Sequence, residues 1–435
     1  MSWSGFIQGA LLLVLLPIIG LGRPEHAWVL LLLPVVWIIG WRVDRKVLPE
    51  TPLNIPLLLI SLSIFISLFA TYDLRVSYPN IAELLYGLAV YWWLARKITT
   101  KRSWRTAVIT FTLWGACIGV VALLGASWPN KLPLLGSLAS RLPQQLIVFP
   151  RDEGGGIHPN GVAGTLLWMV PLSLSITPSI WMETVHTKQN QLLVRLVVAI
   201  FFTLGVVLFP LTLLLLSQSR GGLLGLAVAG ALLIIRAIPK RLRWLIFLFS
   251  IVAIVAILLL WINSEATRQY QELYPRALSK DTLEWRRIVW SKAFMGIADF
   301  PLTGMGMNVF HKAFHVLYPT ALISPIVDIS NAHNLFLQVA LDLGLPGLVG
   351  YIALWIGVFI MIRNSLKYED IDTSFSFDRA AWIGLAAALL GFLVWGITDA
   401  VPLGTPPDFL WLAEISLVAC GYMCLKRNTV SLVES

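Results

Sequence analysis

Charge is what this 435-residue chain has least of. Asp, Glu, Lys and Arg together make up 13% of it, about half the usual share of roughly 25%. Three cysteines, Cys117, Cys420 and Cys424, sit in apolar stretches, where a thiol behaves as a small hydrophobe, so neither a disulfide framework nor a zinc pattern follows. There is no internal repeat and no low-complexity segment. The apolar set, in contrast, accounts for 57% of the residues. A soluble globule cannot hide that much apolar side chain, because its surface must be covered mainly by polar groups. Disorder, collagen and coiled coil are excluded on the same numbers. The composition predicts an all-α integral membrane protein, a single polytopic domain over residues 1–435.

At about 20 residues per crossing, hydropathy predicts twelve spans, near 5–22, 28–41, 55–70, 84–95, 106–126, 158–181, 196–216, 222–235, 244–262, 333–362, 380–398 and 409–425. The fourth is rich in polar residues, the eighth is short, and the tenth is long enough to be broken at Gly344-Leu345-Pro346-Gly347. The N-terminal apolar run lacks a basic leader and a small-residue cleavage site, and reads as a retained first span.

The net charge of +9 does not point to nucleic acid. If each span crosses once, one set of alternate loops holds 19 of the 32 Lys and Arg in only 76 residues. The dense clusters are Arg42/Arg45/Lys46, Arg96/Lys97/Lys101/Arg102/Arg105 and Arg236/Lys240/Arg241/Arg243. By the positive-inside rule these loops, and both termini, are cytoplasmic.

Two outer loops are long, 127–157 and 263–332, and long structureless connections are uncommon in compact chains. In the second, Glu284 to Phe300 spaces Trp285, Ile288, Val289, Phe294 and Ile297 at helical intervals, which predicts an amphipathic helix at the outer interface. It ends at Pro301, and Pro-Leu-Thr-Gly-Met-Gly (301–306) is turn chemistry.

Polar candidates gather on the outer face. In Ser217-Gln218-Ser219-Arg220-Gly221-Gly222, Arg220 opens a helix; such an Arg either snorkels or binds an anion, and the glycines leave backbone N–H groups at a helix N-terminus, where phosphate is favoured. Arg286 and Arg287 form either a headgroup-binding face or a two-pronged grip on pyrophosphate. His333-Asn334 opens the tenth span, where the imidazole either caps a helix or serves as a general base. His158-Pro159-Asn160 repeats that arrangement at the sixth span, with helix capping as the simpler reading. Asp399, at the outer end of the eleventh span, either orients a His or Arg or closes a turn with Pro402 and Gly404. Asp370-Ile371-Asp372 has a metal-holding spacing but lies on the cytoplasmic side, as a solvated acidic loop. No outer cluster has metal-ligand spacing, so no metal and no cofactor is expected.

Taken together these residues resemble the bacterial O-antigen ligase (WaaL) and Wzy-type polymerase superfamily. Three elements match in order and spacing: Ser219-Arg220-Gly221; Arg286-x-x-x-Trp290 followed by Pro301 to Gly306; and His333-Asn334 followed by Gly344 and Gly347. The motifs cover residues 158–350, and the long loop 263–332 between spans nine and ten extends the likeness. The resemblance implies transfer of an undecaprenyl-pyrophosphate-linked glycan to an acceptor hydroxyl on the periplasmic face of the inner membrane, without metal or nucleotide sugar and with inversion. It places the essential arginines on Arg220 and Arg286 and the essential histidine on His333, with Arg287, Ser219, Gly221, His158, Asn160, Asn334 and Asp399 as substrate-binding candidates. Expected partners are the lipid-linked donor, a glycan, lipid or protein acceptor, and membrane lipids.

Trp285 and Trp290 are placed to stack on sugars or to anchor the loop. Alternatives are a polysaccharide polymerase, a protein O-oligosaccharyltransferase, an assembly partner without catalysis, and a secondary transporter of the inorganic-carbon type. The last would need ionisable residues near the bilayer midplane on broken helices, and here the candidates cluster at one face.

Overall fold

The computed structural model describes residues 3–20, 28, 31–126, 128, 157–185, 189–237, 283–325, 327–368, 376–400, 403 and 409–433. Among them the secondary structure is helical, apart from one isolated bridge between Ala126 and Ile157. The helices are α1 (Trp3–Gly20), α2 (Leu33–Asp44), α3 (Asn54–Ser67), α4 (Leu74–Lys97), α5 (Lys101–Gly125), α6 (Pro159–Leu167) and α7 (Val170–Val185). Next come α8 (Gln189–Phe201), which continues through a π-helical segment (Phe202–Leu208) into α9 (Phe209–Leu216), and α10 (Arg220–Ala237). The long loop contributes α11 (Leu283–Asp299) and α12 (Phe310–Leu317), and the chain closes with α13 (Leu335–Tyr368), α14 (Phe377–Thr398) and α15 (Phe409–Val433).

A helix or helix pair lies on eleven of the twelve expected spans, and 244–262 falls outside the described residues, as does the acidic pair at 370 and 372. By length and composition, five described helices are able to cross a membrane: Lys101–Gly125, Gln189–Leu216, Leu335–Tyr368, Phe377–Thr398 and Phe409–Arg427. A sixth is formed if α6 and α7, bent by 41° at their junction, count as one broken span. Three further apolar helices, at Ile7–Leu16, Leu33–Arg42 and Asn54–Ser67, are shorter.

The packing is that of helices in lipid, where apolar burial gives little drive and close approach of small residues gives much. A Cβ on Gly225 of α10 would run into the Gly391 carbonyl of α14, so these two helices touch backbone to backbone. Trp168, Trp382, Trp395, Trp411, Tyr91 and Tyr351 fill the interior between α4, α7, α13, α14 and α15.

The helices have unlike ends. Lys101 and Arg105 at the start of α5 both pair with buried Asp378 at the start of α14, and Arg96 at the end of α4 donates to the Lys46 and Val47 carbonyls at 2.8 and 3.2 Å. Arg236 and Lys367 close α10 and α13 on the same side. The opposite ends of α10, α13 and α14 carry Arg220, His333-Asn334 and Asp399. Twenty-two residues of α14 separate the two levels by about 33 Å, close to the hydrocarbon thickness of a bilayer.

The expected break in the tenth span is present. Gly344 adopts φ 70°, ψ −178° inside α13, a conformation essentially confined to glycine. A break strands backbone groups that hydrocarbon cannot satisfy. Here the turn 301–306 satisfies them: Met305 N donates to Leu341 O, and Leu345 N donates to Pro301 O, both at 2.7 Å. The contact is so close that a Cβ on Gly304 (φ 66°) would lie 2.6 Å from the Asp342 carbonyl carbon, and one on Gly344 would lie 2.7 Å from the Leu302 carbonyl.

The loop helix expected from the sequence is α11, and Trp285, Ile288, Val289 and Ile297 of its expected face pack on the loop core, whereas Phe294 does not. Trp285, Val289 and Ala293 are buried against Phe310, Phe314, Tyr318 and Ile323, forming a second small core. Phe294 is 60% exposed; five residues beyond Val289, it falls about 140° around the helix from that stripe.

Gly344→Ala should destabilise the protein by about 2–4 kcal/mol, from the forbidden backbone region and the collision with Leu302. Thermal unfolding in detergent checks this, and an unchanged midpoint would mean that the break is not held as described.

Candidate active site

Five chain segments remote in sequence meet at the end of the bundle away from the basic residues. Each is positioned by a helix terminus. Ser219 caps α10: its Oγ accepts the Gly222 N–H at 3.2 Å. Ser219 is buried, and the Gly222 N–H is therefore occupied by the cap instead of being open to an anion as the sequence had suggested. A Cβ on Gly221 would strike Thr398 Oγ1 at the end of α14, and one on Gly222 would lie 2.6 Å from the Ala163 Cβ of α6. The role of this glycine pair in the fold is to seat the start of α10 against α14 and α6, which sets exposed Arg220 beside the Asp399 turn.

Asn334 caps α13, its Oδ1 accepting from Phe336 N and Leu337 N, both at 3.1 Å. Its Nδ2 donates to the Ile397 carbonyl at 3.2 Å, which ties the start of α13 to the end of α14. His158 caps α6 by accepting from Asn160 N at 3.2 Å and is exposed. Asn160, in contrast, reaches across the site and donates to Asp399 Oδ2 at 2.6 Å.

The centre is His333. It sits at φ 48°, the left-handed region uncommon for residues other than glycine. Its Nδ1 lies 3.1 Å from Asp399 Oδ1. An ionised carboxylate only accepts, so Nδ1 carries the proton and donates, which leaves Nε2 as the acceptor in neutral imidazole. The Trp285 ring packs edge-on against the imidazole at 5.0 Å between centroids, which limits its rotation. Trp285 is 1% exposed, and Trp290 Nε1 donates to the Ala332 carbonyl at 3.0 Å. Trp285 is thus no sugar-stacking platform but an anchor of the loop, the other role expected of it; Trp290, half-buried, is tied to the His333 segment through its N–H.

Asp399 collects donors from three directions, adding Ala400 N at 2.9 Å to His333 and Asn160. Burial pushes its carboxyl upward, but the His333 hydrogen bond and charge, the Ala400 N–H and the Arg286 charge outweigh it and hold the group below the ordinary carboxylate value. The Arg286 charge acts on the same carboxyl, as the least of these effects. Arg286 Nε is buried without a hydrogen-bond partner, a donor such as native proteins rarely leave unmatched. Its neighbour Arg287 is exposed.

Sequence reading missed the residues behind His333. Asn331 Oδ1 accepts from His333 N at 2.7 Å, Gln338 Oε1 accepts from Ala332 N at 2.8 Å, and Gln338 Nε2 donates to Asp342 Oδ1 at 2.9 Å. The available signal was a polar pair four residues apart on an otherwise apolar helix, a spacing that puts both on one face.

Fold and site together define an α-helical membrane protein with a His–Asp pair and two arginines at one end of its bundle. Residues 204–352 match the Wzy_C family model, described as O-antigen ligase. That segment holds Arg220, Arg286, the 301–306 turn, His333 and Gly344, and the resemblance read from these motifs is borne out by it. It covers about a third of the chain, and Asn160 and Asp399 lie outside it. No match was found among curated proteins.

A carboxyl held below its ordinary value stabilises the fold above about pH 4, and that contribution is lost as pH falls toward its folded value. Asp399→Asn should therefore lower the unfolding midpoint at pH 6–8, and its deficit against wild type should shrink below about pH 4. A deficit that does not change with pH would mean that the carboxylate charge is not what stabilises the pair.

Proposed function

We propose that this protein is a membrane glycan transferase of the O-antigen ligase type, moving a polyprenyl-pyrophosphate-linked oligo- or polysaccharide to an acceptor hydroxyl on the periplasmic face. The observation that carries the reading is the pairing of His333 with Asp399 beside an arginine whose buried Nε has no partner. The O-antigen ligase match over 204–352 supports it independently.

In the proposed step the acceptor oxygen attacks the anomeric carbon while the bond from that carbon to the pyrophosphate oxygen breaks. The hydroxyl proton passes to His333 Nε2. Asp399 keeps Nδ1 protonated, so that Nε2 is the free base, and stabilises the imidazolium that forms. Negative charge grows on the leaving pyrophosphate, where Arg286 and Arg220 stabilise it; donors set in advance are most effective where charge develops in the transition state. A single displacement inverts the anomeric centre, and it uses guanidinium charge with no metal. Arg286 takes this role ahead of Arg287, because Arg286 is half-buried with an enclosed Nε that has no partner, whereas Arg287 is exposed. In this reading the chain crosses twelve times, with the basic loops and both termini in the cytoplasm and the site at the periplasmic surface, where the polyprenyl chain enters from the side; the positive-inside rule supports that orientation.

Membranes of a strain deleted for this gene hold both unused donor and acceptor. Purified wild-type protein added to them should transfer glycan, and Arg220→Ala, Arg286→Ala and His333→Ala should each lose it by about 100-fold or more, while Arg287→Ala stays within a few-fold. Normal transfer by all three would refute the proposal. One block moved to the acceptor marks a ligase, and a ladder of products marks a polymerase.

Sidedness is tested with single cysteines in a protein lacking its own three. Val316→Cys, on an exposed site of α12, should react with an impermeant maleimide in intact spheroplasts, and Glu50→Cys, near Arg96, only after permeabilisation. The reverse pattern would invert the orientation.

A further inference from the structure

We propose that Gln338 and Asp342 are positioning residues for His333, setting its backbone through one side-chain amide. The inference rests on the glycan-transfer reading, in which His333 Nε2 receives the acceptor proton. It starts from the strain at His333. A left-handed φ of 48° costs on the order of 1–3 kcal/mol, and persists only where the surroundings over-determine it.

The groups that do so can be traced. Ala332, the residue before His333, has both backbone groups engaged: its carbonyl accepts from Trp290 Nε1 at 3.0 Å, and its N–H donates to Gln338 Oε1 at 2.8 Å. The Gln338 amide works in this sense only if its oxygen faces Ala332. The orientation is fixed at both ends: the Ala332 N–H only donates, so the amide oxygen faces it, and Gln338 Nε2 then points to Asp342 Oδ1 at 2.9 Å, an oxygen that accepts in either protonation state of the carboxyl. The same Oδ1 accepts from Asn308 N at 3.1 Å, two residues past the turn that docks on the α13 break. Asp342, Gln338 and Ala332 are each fully enclosed, at 0–1% exposure, so water is no substitute for a lost bond. The line Asn308 to Asp342 to Gln338 to Ala332 thus joins the break in α13 to the backbone of the base. Neither Gln338 nor Asp342 touches the reacting atoms; they act through His333.

A scaffold role alone would be served by the bonds at the break, Met305 to Leu341 and Leu345 to Pro301, which Gln338 does not make. Gln338→Met is the discriminating variant. It removes both amide bonds at nearly constant volume and leaves the break, the Asn308–Asp342 bond and both arginines in place. Asp342→Asn is the conservative partner: its Oδ1 still accepts from Gln338 and Asn308, and its new NH2 replaces Oδ2, which has no hydrogen-bond partner.

The assay is transfer by purified, reconstituted full-length protein to membranes of the gene-deleted strain. It is run at varied concentrations of donor extracted from that strain, alongside direct binding of undecaprenyl pyrophosphate. For Gln338→Met the expected result is a fall of about 100-fold in maximal rate, the size associated with ångström misplacement of a catalytic group. Half-saturating donor concentration and undecaprenyl pyrophosphate binding should stay near wild type, and the unfolding midpoint should fall by a few degrees, because the Ala332 N–H is left buried without a partner. Asp342→Asn should keep a rate within a few-fold of wild type, and Asp342→Met should fall as Gln338→Met does. A wild-type rate in Gln338→Met overturns the inference, as does loss of rate matched by loss of undecaprenyl pyrophosphate binding, or an Asp342→Asn protein as inactive as Asp342→Met. Should wild type itself fail to transfer, the glycan-transfer reading falls and takes this inference with it. Wild-type transfer with an inactive His333→Ala and a fully active Gln338→Met sinks this inference alone.

Discussion

Hydrocarbon offers no hydrogen-bond partner, and the break in α13 exposes the chain to that constraint. At Gly344 the helix abandons its own ladder, leaving the Leu341 carbonyl and the Leu345 N–H to be matched from elsewhere. The turn 301–306 supplies both partners through its backbone. The turn is in turn anchored from below: a Cβ on Gly306 would collide with Thr71, just past α3, and Ser77 of α4 donates to the Met307 carbonyl at 2.7 Å. Because two backbones must approach within bonding distance, side chains are excluded at Gly304 and Gly344. The turn that begins where α11 ends is thereby fixed to the bundle, and with it the helix that carries Trp285 and Arg286. A local defect in one helix is what fastens the long loop to the membrane domain.

Helix ends carry the site for a related reason. Backbone groups at a terminus lack intrahelical partners and must be capped, and the caps here double as links between elements. Asn334 closes α13 and grips the end of α14, Ser219 closes α10 where α10 meets α6, and His158 closes α6 and leaves the neighbouring Asn160 free to reach Asp399. Asp399 is affordable as a buried charge because three donors and a nearby guanidinium compensate for its lost hydration. None of these groups is held by a loop alone. Reacting groups must be placed to within fractions of an ångström, and rigid helix termini achieve this better than connections.

Much of this was legible in the sequence, for identifiable reasons. Helix existence follows from apolar runs, and the broken tenth span from Gly344 with Pro346. Arg220, His333 and Asp399 stand out as polar residues at the edges of apolar stretches, and Arg286 through its spacing to Trp290 in the motif; each also has a simpler reading as an interface or capping residue, and their convergence on one face gives them weight. What could not be read is how partners are shared. Of the N–H groups expected to be open after Arg220, that of Gly222 is taken, because Ser219 sits one residue upstream and caps the helix itself. Of the two roles open to Trp285, burial leaves the anchoring one, because an apolar face in the sequence does not say whether protein or ligand covers it. Phe294 was assigned to the packed face by loose spacing, where the strict run of Trp285, Val289 and Ala293 marks the true stripe. Gln338 and Asp342 went unnoticed because hydropathy averages a polar pair into an apolar helix.

The charge scarcity of the chain gives these few polar residues their meaning. At the basic end, charge is matched by charge: Lys101 and Arg105 converge on Asp378. At the far end, among the described residues, the pairing is of another kind. Asp399 is the acidic group in contact with His333, and it faces Arg286 without neutralising its buried Nε, while Arg220 adds a second positive charge at the start of α10. A carboxylate that already accepts from His333, Asn160 and Ala400 has little capacity left for a guanidinium. In the proposed transfer, a pyrophosphate gains charge as its bond to the sugar breaks, so guanidinium groups fixed at this end of the bundle would hold it more strongly in the transition state than in the ground state.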